Sequence, residues 1–433
     1  MPRFLLALAL ALLLSPAESS FGQSQGDEIA RSALAFLSSR QVKRGNGVYE
    51  PGEWPAQVYS TPLASLLGVG LLSGDEEATA FTTASVVNQL ATIYLEYPAL
   101  TQIPALIDKA VPALERYREG SLYNFYPGRD WYGTRVHQPA AMSLAPRWRG
   151  LTNIPQDADT TSAAYTARYY QALIHGKTFI LPEAVGHSFS QHRDLNRKSH
   201  WYNRLFGLVN TGAFMTWQLD ENDPRMPRAF FADPGEGKRI PFGRNDVDCV
   251  VNLNVLRLLA LTKNSGLKGR GNSCGLMANL ILNERYAQCG IYYPNTYNFA
   301  FSATLADEAG ESCLRNYEGR MVDFILRNQS ADGGWFNQGN WEVFDRVQST
   351  AYALHALTRL GSHQGANVRD SIARGRRYLI SQLRRSVDGH LYWPGEVFFT
   401  ATAVARSQVD WRSDAYTTAV ALSALLRASR ALR

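Results

Sequence analysis

The 433-residue chain is poor in cysteine, in long apolar runs and in blocks of one charge. Its 4 cysteines, Cys249, Cys274, Cys289 and Cys313, share one stretch but never form a C-x-x-C pair, which excludes the usual structural zinc sites. Lys and Arg number 44 against 38 Asp and Glu, and they are scattered. With no basic helix or Lys/Arg run there is no footprint for nucleic acid, and the net charge of +6 reads as solubility with a mild preference for anionic partners. After Phe4 to Leu14 no stretch approaches ~18 uninterrupted apolar residues, so no transmembrane segment is expected. Strict period-2 alternation, the mark of half-buried strands, is also rare.

What is present begins with Met1-Pro2-Arg3, an apolar run from Phe4 to Leu14, and small residues around Ser19 and Gly22. One positive charge, an apolar core too short to span a bilayer and a small-residue exit make a secretory signal over residues 1–22, with cleavage after Ser19 or Gly22. No cysteine follows to accept a lipid. The expected mature chain is one domain over residues 23–433, secreted or periplasmic. In an oxidising compartment an even cysteine count predicts one or two disulfides, with three pairings open. A hydrophobic content of 45% with 19% charged residues excludes global disorder.

Apolar spacing is helical almost throughout. It predicts helices over Ile29 to Leu37, Pro62 to Leu72, Ala80 to Tyr94, Ile103 to Tyr117, Thr160 to Leu173 and Val247 to Leu261. Further helices are predicted over Leu276 to Asn283, Tyr317 to Asn328, Ser349 to Leu360, Val368 to Leu383 and Ala415 to Ala428. Between them lie Gly, Pro, Asn and aromatic loops such as Tyr292-Tyr293-Pro294-Asn295. The chain also repeats itself. Phe324-Ile325-Leu326-Arg327-Asn328-Gln329 runs into Gly333-Gly334-Trp335, Phe36 to Gln41 runs into Gly47-Val48-Tyr49, and a weaker copy joins Tyr378-Leu379 and Gln382 to Gly389 and Trp393. Helix starts repeat as well, at Asp157-Ala158-Asp159-Thr160-Thr161, Asp246-Val247-Asp248-Cys249, Gln348-Ser349-Thr350 and Ser413-Asp414-Ala415. Small residues there let helices crowd at an inner ring. The expectation is an all-α fold, an α/α toroid of inner and outer helices built from helical hairpins.

Gln329-Ser330-Ala331-Asp332-Gly333-Gly334-Trp335 resembles the QW repeat of the squalene-hopene cyclase and protein prenyltransferase superfamily, whose members share the α/α toroid. Asp157-Ala158-Asp159-Thr160-Thr161 resembles the DxDD-T-A acid motif of class II terpene cyclases, with Thr160 at its last acidic position. The resemblance implies Asp159 as the acid that starts an isoprenoid cyclisation or isomerisation, with Asp157 as its neighbour. The zinc-dependent prenyltransferase branch does not fit, because Val247 stands where its Asp-x-Cys motif needs Asp and Gln348 where a His is wanted. No Cys-Gly-Glu-Gln motif of the complement-like thioester toroids occurs.

Asp157 with Asp159 and Asp246 with Asp248 form two Asp-x-Asp motifs 89 residues apart, each following an Ile-Pro. In a toroid they place up to four carboxylates around one cavity mouth. Asp is a favoured N-cap, and capping alone explains one carboxylate per motif but not two. The remaining chemistry is open: a shared proton giving a strong acid, an acid and base flanking a glycosidic bond, or a divalent cation site for Ca2+ or Mg2+, with no cofactor required by the first two. The ligand is then a small lipid or glycan. Trp131, Tyr132, Trp201, Tyr293, Trp335, Trp341 and Trp393 are candidates to line its cavity, by cation–π contact or stacking. His187, His192 and His200 lack the i, i+4 pairing of a helical metal site. Export favours a secreted carbohydrate-active or binding toroid; the acid motif favours a terpene-cyclase-like enzyme. No pattern specifies an oligomeric state.

Overall fold

The computed structural model describes residues 25–61, 73–140, 152–224, 226–227, 233–240, 244–337, 345–361, 365–401 and 408–433. The signal segment, the helix expected over Pro62 to Leu72, and Trp341 lie outside them. The helices are α1 (residues 25–40), α2 (Ala80–Glu96), α3 (Ile103–Ala113), α4 (Ala158–Ile174), α5 (Glu183–Gln191), α6 (Trp201–Leu205) and α7 (Cys249–Leu261). After them come α8 (Arg270–Leu282), α9 (Tyr286–Cys289), α10 (Asn298–Glu308), α11 (Glu318–Arg327), α12 (Val347–Leu360), α13 (Ala366–Ser381) and α14 (Asp414–Ala431).

Six of them close a ring: α2 packs on α4, α4 on α7, α7 on α10, α10 on α12, α12 on α14, and α14 returns to α2. These inner helices are buried on nearly every face, which is why their apolar pattern is broad. Their opening turns are rich in small residues, as in Ala158, Ser162, Ala163, Ala164 and Ala167 of α4, and small side chains permit close helix approach. Outer helices are one-sided by contrast; in α11 only Met321, Val322 and Ile325 are buried. The helix expected first, α1, seals the ring from outside: Phe36 stacks on Tyr392 and Ser32 accepts from the Leu391 N–H.

One clasp recurs in five of the six inner helices. The backbone N–H of an aromatic residue in the preceding loop donates to a polar side chain in the helix's first turn: Trp54 to Thr83, Tyr123 to Thr161, Phe214 to Asn252, Trp335 to Thr350 and Trp393 to Thr418. In the three copies with tryptophan, the indole N–H donates to the last turn of the helix before it, at Leu37, Ile325 and Leu379. The first repeat therefore closes on Trp54, five residues beyond the Tyr49 that the sequence alignment favoured. The Gln41 side-chain amide donates to Gly52 just as Gln329 donates to Gly333, which fixes the register.

Small sheets occur where only helix was expected. An antiparallel sheet of order β2-β1-β10-β9 joins Ser73–Glu77, Ala56–Ser60, Val409–Arg412 and Val397–Ala401, with Tyr59 opposite Asp410 and Trp411 opposite Phe399. Three two-stranded hairpins complete it: β3-β4 (Arg118–Glu119, Leu122–Tyr123), β5-β6 (Gly128–Trp131, Thr134–His137) and β7-β8 (Arg384–Arg385, Leu391–Tyr392). The four-stranded sheet escaped notice because its strands are short and come from the two ends of the chain. Helix α10 was missed for a different reason: it is buried all round and its N-cap Tyr297 makes no side-chain cap, so it carries neither period nor start signal.

Of the three disulfide pairings, the structure has Cys249–Cys289 and Cys274–Cys313, with Cα atoms 5.4 and 6.0 Å apart. No helix among the described residues is long and apolar enough to cross a membrane. Both features are compatible with life outside the cytoplasm.

Candidate functional site

The N-terminal ends of α4 and α7 lie side by side, and the loop Ile291-Tyr292-Tyr293 passes over both. Asp157 caps α4, accepting from the Thr160 N–H at 2.5 Å, and its second oxygen is buried without a hydrogen-bond partner. Asp248 caps α7, accepting from Val250 and Val251 at 2.7 and 3.2 Å, and its other oxygen takes the N–H groups of Ile291 and Tyr292 at 2.5 and 3.0 Å. The two motifs are thus out of register. Asp157 corresponds to Asp248, while Asp159 stands two residues after its cap, inside the helix, and Asp246 two residues before its cap, outside it.

Their partners differ accordingly. Asp246 accepts from the hydroxyls of Thr216 and Tyr292 at 2.5 and 2.6 Å and from the Trp217 indole at 3.2 Å, a closed network away from any opening. Asp159 accepts from the Asn254 amide at 2.7 Å and from the Tyr293 hydroxyl. Asn254 and Tyr293 both line a cavity at the centre of the ring. Of the four carboxylates, Asp159 is the one bonded to side chains of the cavity wall, while Asp248 accepts from the backbone of Val250, another lining residue. In place of the expected ring of carboxylates at the rim, all four are buried behind the residues that line the cavity.

Burial pushes all four carboxyls up. Asp157 rises to about 8, with the Asp159 charge adding, and Asp159 to about 7, with Tyr293 and Asn254 pulling back. Asp246 and Asp248 rise to about 6, held lower by the hydroxyl, indole and backbone N–H groups that they accept from. In the unfolded chain a carboxyl of this type ionises near 3.8. The folded protein therefore holds more protons than the unfolded one between about pH 4 and pH 8. This contribution to stability is complete below about pH 4 and is lost as pH rises through the folded values.

For Asp157 alone the loss between pH 6 and pH 8 is about 2 kcal/mol, two pH units at about 1.4 kcal/mol each less the rounding at its midpoint. Asp157→Asn retains a good N-cap and has no charge to bury. It is expected to flatten the decline by that amount in urea unfolding at pH 6 and pH 8. Identical slopes for both proteins would show that Asp157 ionises normally.

The cavity has a volume of about 40 Å³. Its lining mixes aromatic side chains, Phe81, Tyr293, Phe301 and Tyr416, with polar ones, Asn88, Gln89, Asn254, Arg257, Asn298 and Ser302. The sheet roofs the acid end: Phe399 stacks on Tyr292 with centroids 5.6 Å apart and meets Tyr293 edge-on, and Thr400 N–H donates to the Tyr292 carbonyl.

Among the expected aromatics that lie in the described residues, Tyr293 alone lines this cavity. Trp335 and Trp393 are fully buried in the repeat clasps, where their indoles are already bonded. Tyr132 is 94% exposed at a hairpin tip beside Trp131, and Trp201 is 43% exposed on α6. His200 accepts from the Tyr202 N–H, and His192 bonds to the Ser188 carbonyl. Among the described residues the His, Cys, Asp and Glu side chains close enough to share a cation are Cys274, Glu311 and Cys313, whose two sulfurs are joined in a disulfide. The paired aspartates do not converge in that way, so the geometry lends a cation site no support.

Sequence reasoning missed Asn254 and Arg257, although their signal is present: with Asn252 they are the three polar residues that interrupt an apolar α7. It also missed a second carboxyl pair. Asp345 is fully buried, accepts from Asn295 at 2.8 Å and is held well above the usual carboxylate range by burial and by the facing Glu396. Glu396 in turn accepts the N–H groups of Arg346, Val347 and Gln348 and so caps α12 from a distant loop.

No protein-family model matches this sequence, and no curated protein does. Solved structures do share the architecture. A variant of the type II terpene cyclase MstE from Scytonema, in complex with merosterolic acid A, superposes with a TM-score of 0.57 at 14% identity, covering 95% of this chain and 99% of that one. Another variant of that enzyme, holding geranylgeranyl dihydroxybenzoate, gives 0.56 at 15% identity with the same coverage. A cellobiose 2-epimerase from Spirochaeta thermophila gives 0.51 at 13% identity over 97% of this chain and 99% of that one. At these identities the likeness speaks for the fold, and the chain is an α/α toroid of the kind on which these enzymes are built.

Proposed function

We propose that the protein is an exported acid catalyst that isomerises or cyclises an isoprenoid-type ligand in the toroid lumen, with Asp159 as proton donor. The observation that carries this reading is the position of Asp159: a buried carboxyl, neutral up to about pH 7, bonded to two residues of the cavity wall. A neutral carboxyl near its midpoint at working pH is the state that general acid chemistry needs. Asp159 gives its proton to a carbon of a C=C bond, and the cation left on the neighbouring carbon faces the rings of Phe81, Tyr293, Phe301 and Tyr416. A second double bond closes on that cation, and a proton leaves at the end, so the product is an isomer of the substrate. Asp157, neutral to about pH 8 and adjacent, is placed to resupply Asp159.

The polar residues of the lumen favour a second reading, proton transfer on a sugar. At about 40 Å³ the lumen lies well below the ~300–1,000 Å³ of small-molecule sites, so a ligand of either kind requires the lining side chains to move apart. Incubation in D2O with geranyl and geranylgeranyl dihydroxybenzoates and with cellobiose separates the two. Acid-initiated cyclisation yields an isomer carrying one non-exchangeable deuterium by mass spectrometry. Deuterium at a sugar carbon beside the carbonyl supports the second reading, and no deuterium in any of the three would sink acid catalysis on these ligand classes.

A further inference from the structure

Arg257 is the single charged side chain among those that line the lumen, and it is 5% exposed. Its guanidinium donates to the Tyr170 hydroxyl at 3.2 Å and lies 5.5 Å from that ring's centroid; its Nε has no hydrogen-bond partner, and it forms no ion pair with a carboxylate among the described residues. Glu308, on the neighbouring inner helix, is taken up by Arg427, which also binds Glu96. An ionised group buried without a counter-charge costs several kcal/mol. Two residues that line the lumen carry buried acceptors without donors: the side-chain oxygens of Asn88 and Gln89, which are 4% and 3% exposed. Asn88 spends its amide nitrogen on the Ala163 carbonyl at 3.1 Å, which fixes its oxygen as the free end.

The donor set therefore calls for a ligand with an anionic group for Arg257 and hydroxyls for Asn88 and Gln89. We infer that the lumen binds a hydroxylated carboxylate, with its acid group on Arg257 and its hydroxyls on Asn88 and Gln89. This rests on the lumen being the substrate site, as proposed above, but not on any reaction occurring there. Arg257 follows Asn254 by three residues, about 4.5 Å further along α7, and Asn254 is bonded to Asp159. The carboxylate is thus held further towards the C-terminal end of α7 than the acid, and the rest of the ligand extends towards Asp159. Arg257 is a binding residue here, separate from the proton donor.

Isothermal titration calorimetry of the full mature chain at pH 7 tests this with 2,4-dihydroxybenzoate, its methyl ester, glucuronate and glucose. At least one acid is expected to bind 10-fold or more tightly than its neutral counterpart, and which acid does so separates an aromatic from a sugar source. Arg257→Gln is expected to bring that ratio close to one, and Arg257→Lys to keep part of it. Tyr132→Ala, at an exposed hairpin tip, should leave it unchanged, and because the readout is binding alone a failure of the acid chemistry stays distinct from a failure of the binding site. Circular dichroism establishes that each variant is folded. Equal affinity for acid and neutral form, a ratio that survives Arg257→Gln, or no binding of either acid at millimolar concentration would overturn the assignment.

Discussion

Asp159→Asn is expected to lower turnover by about 10³-fold or more while the protein still folds. A positioned general acid contributes about 10²–10⁴-fold, and an amide cannot supply the proton. The substitution is nearly isosteric, and it removes a buried carboxyl whose ionisation burial opposes. Its oxygen can keep the bond from Asn254 while its amide N–H donates to the Tyr293 hydroxyl, so both contacts survive with one reversed. The pH profile sharpens the test. Since the acid must be protonated, kcat/KM is expected to fall above about pH 7. Tyr293 donates to the Asp159 carboxylate and holds its pKa down, so Tyr293→Phe should move that falling limb to higher pH. Asp157→Asn should cost no more than about tenfold, because resupply can come from solvent. Full turnover in Asp159→Asn, measured on whichever ligand takes up deuterium, would remove Asp159 from the chemistry.

How far the fold was legible follows from which interactions leave a local trace. The QW-like repeats were visible because one tryptophan serves three needs at once: filling the inter-helix space, clasping the next helix through its backbone, and capping the previous helix through its indole. Hence Trp335 and Trp393 were found. Trp54 was not, because Gly47-Val48-Tyr49 offers the same residue types a turn earlier, and Tyr49 is itself buried with its hydroxyl on the Ala56 carbonyl. Pairing across the chain leaves no such trace. Tyr59 opposite Asp410 joins residues from the two termini, and nothing local to either strand announces the other.

The site shows the same division. A cap in each motif was legible, since a cap is a relation between residues two or three apart, but not which Asp serves: the helices predicted from Thr160 and from Val247 begin instead at Ala158 and Cys249, behind Asp157 and Asp248. The likeness between the two Asp-x-Asp motifs was a coincidence of spacing. Only the folded chain reveals that α4 begins after the first Asp of its pair and α7 after the second. What distinguishes Asp159 from Asp246 is contact over distance: Asn254 lies 95 residues away from Asp159 and Tyr293 lies 134. The aromatics were over-assigned to the lumen for a related reason. A toroid needs many large side chains between its two helical layers, and Trp335 and Trp393 serve there, whereas polar Asn88, Gln89 and Arg257 line the hole.

Gly52→Ala is expected to destabilise the protein by about 4 kcal/mol or more, placing it among the exceptional single substitutions. The turn after α1 docks on α3: the Gln41 amide donates both to the Gly52 carbonyl and to the Leu106 carbonyl, at 3.0 and 2.9 Å. Gly52 has φ +101°, and a Cβ there would stand 2.0 Å from the Lys109 carbonyl oxygen and 2.6 Å from its carbon. Both are backbone atoms of α3, so relief requires moving a helix. The third repeat supplies the graded control. Gly333, φ +91°, docks its turn on α13 through Gln329 and Ser371, and its added Cβ would meet the Arg374 carbonyl oxygen at 2.7 Å. Gly389, φ +81°, meets nothing within 4 Å, so Gly389→Ala isolates the backbone term of about 1–2 kcal/mol. Urea midpoints should therefore fall least for Gly389→Ala, more for Gly333→Ala and most for Gly52→Ala. Equal losses at all three positions would mean that the left-handed backbone, and not the docking of each turn on its outer helix, sets the cost. The order follows from the way the ring is built: at Gly52 and Gly333 the repeat docks on its outer helix through a contact so close that only a residue without a side chain can occupy it, and at Gly389 it does not.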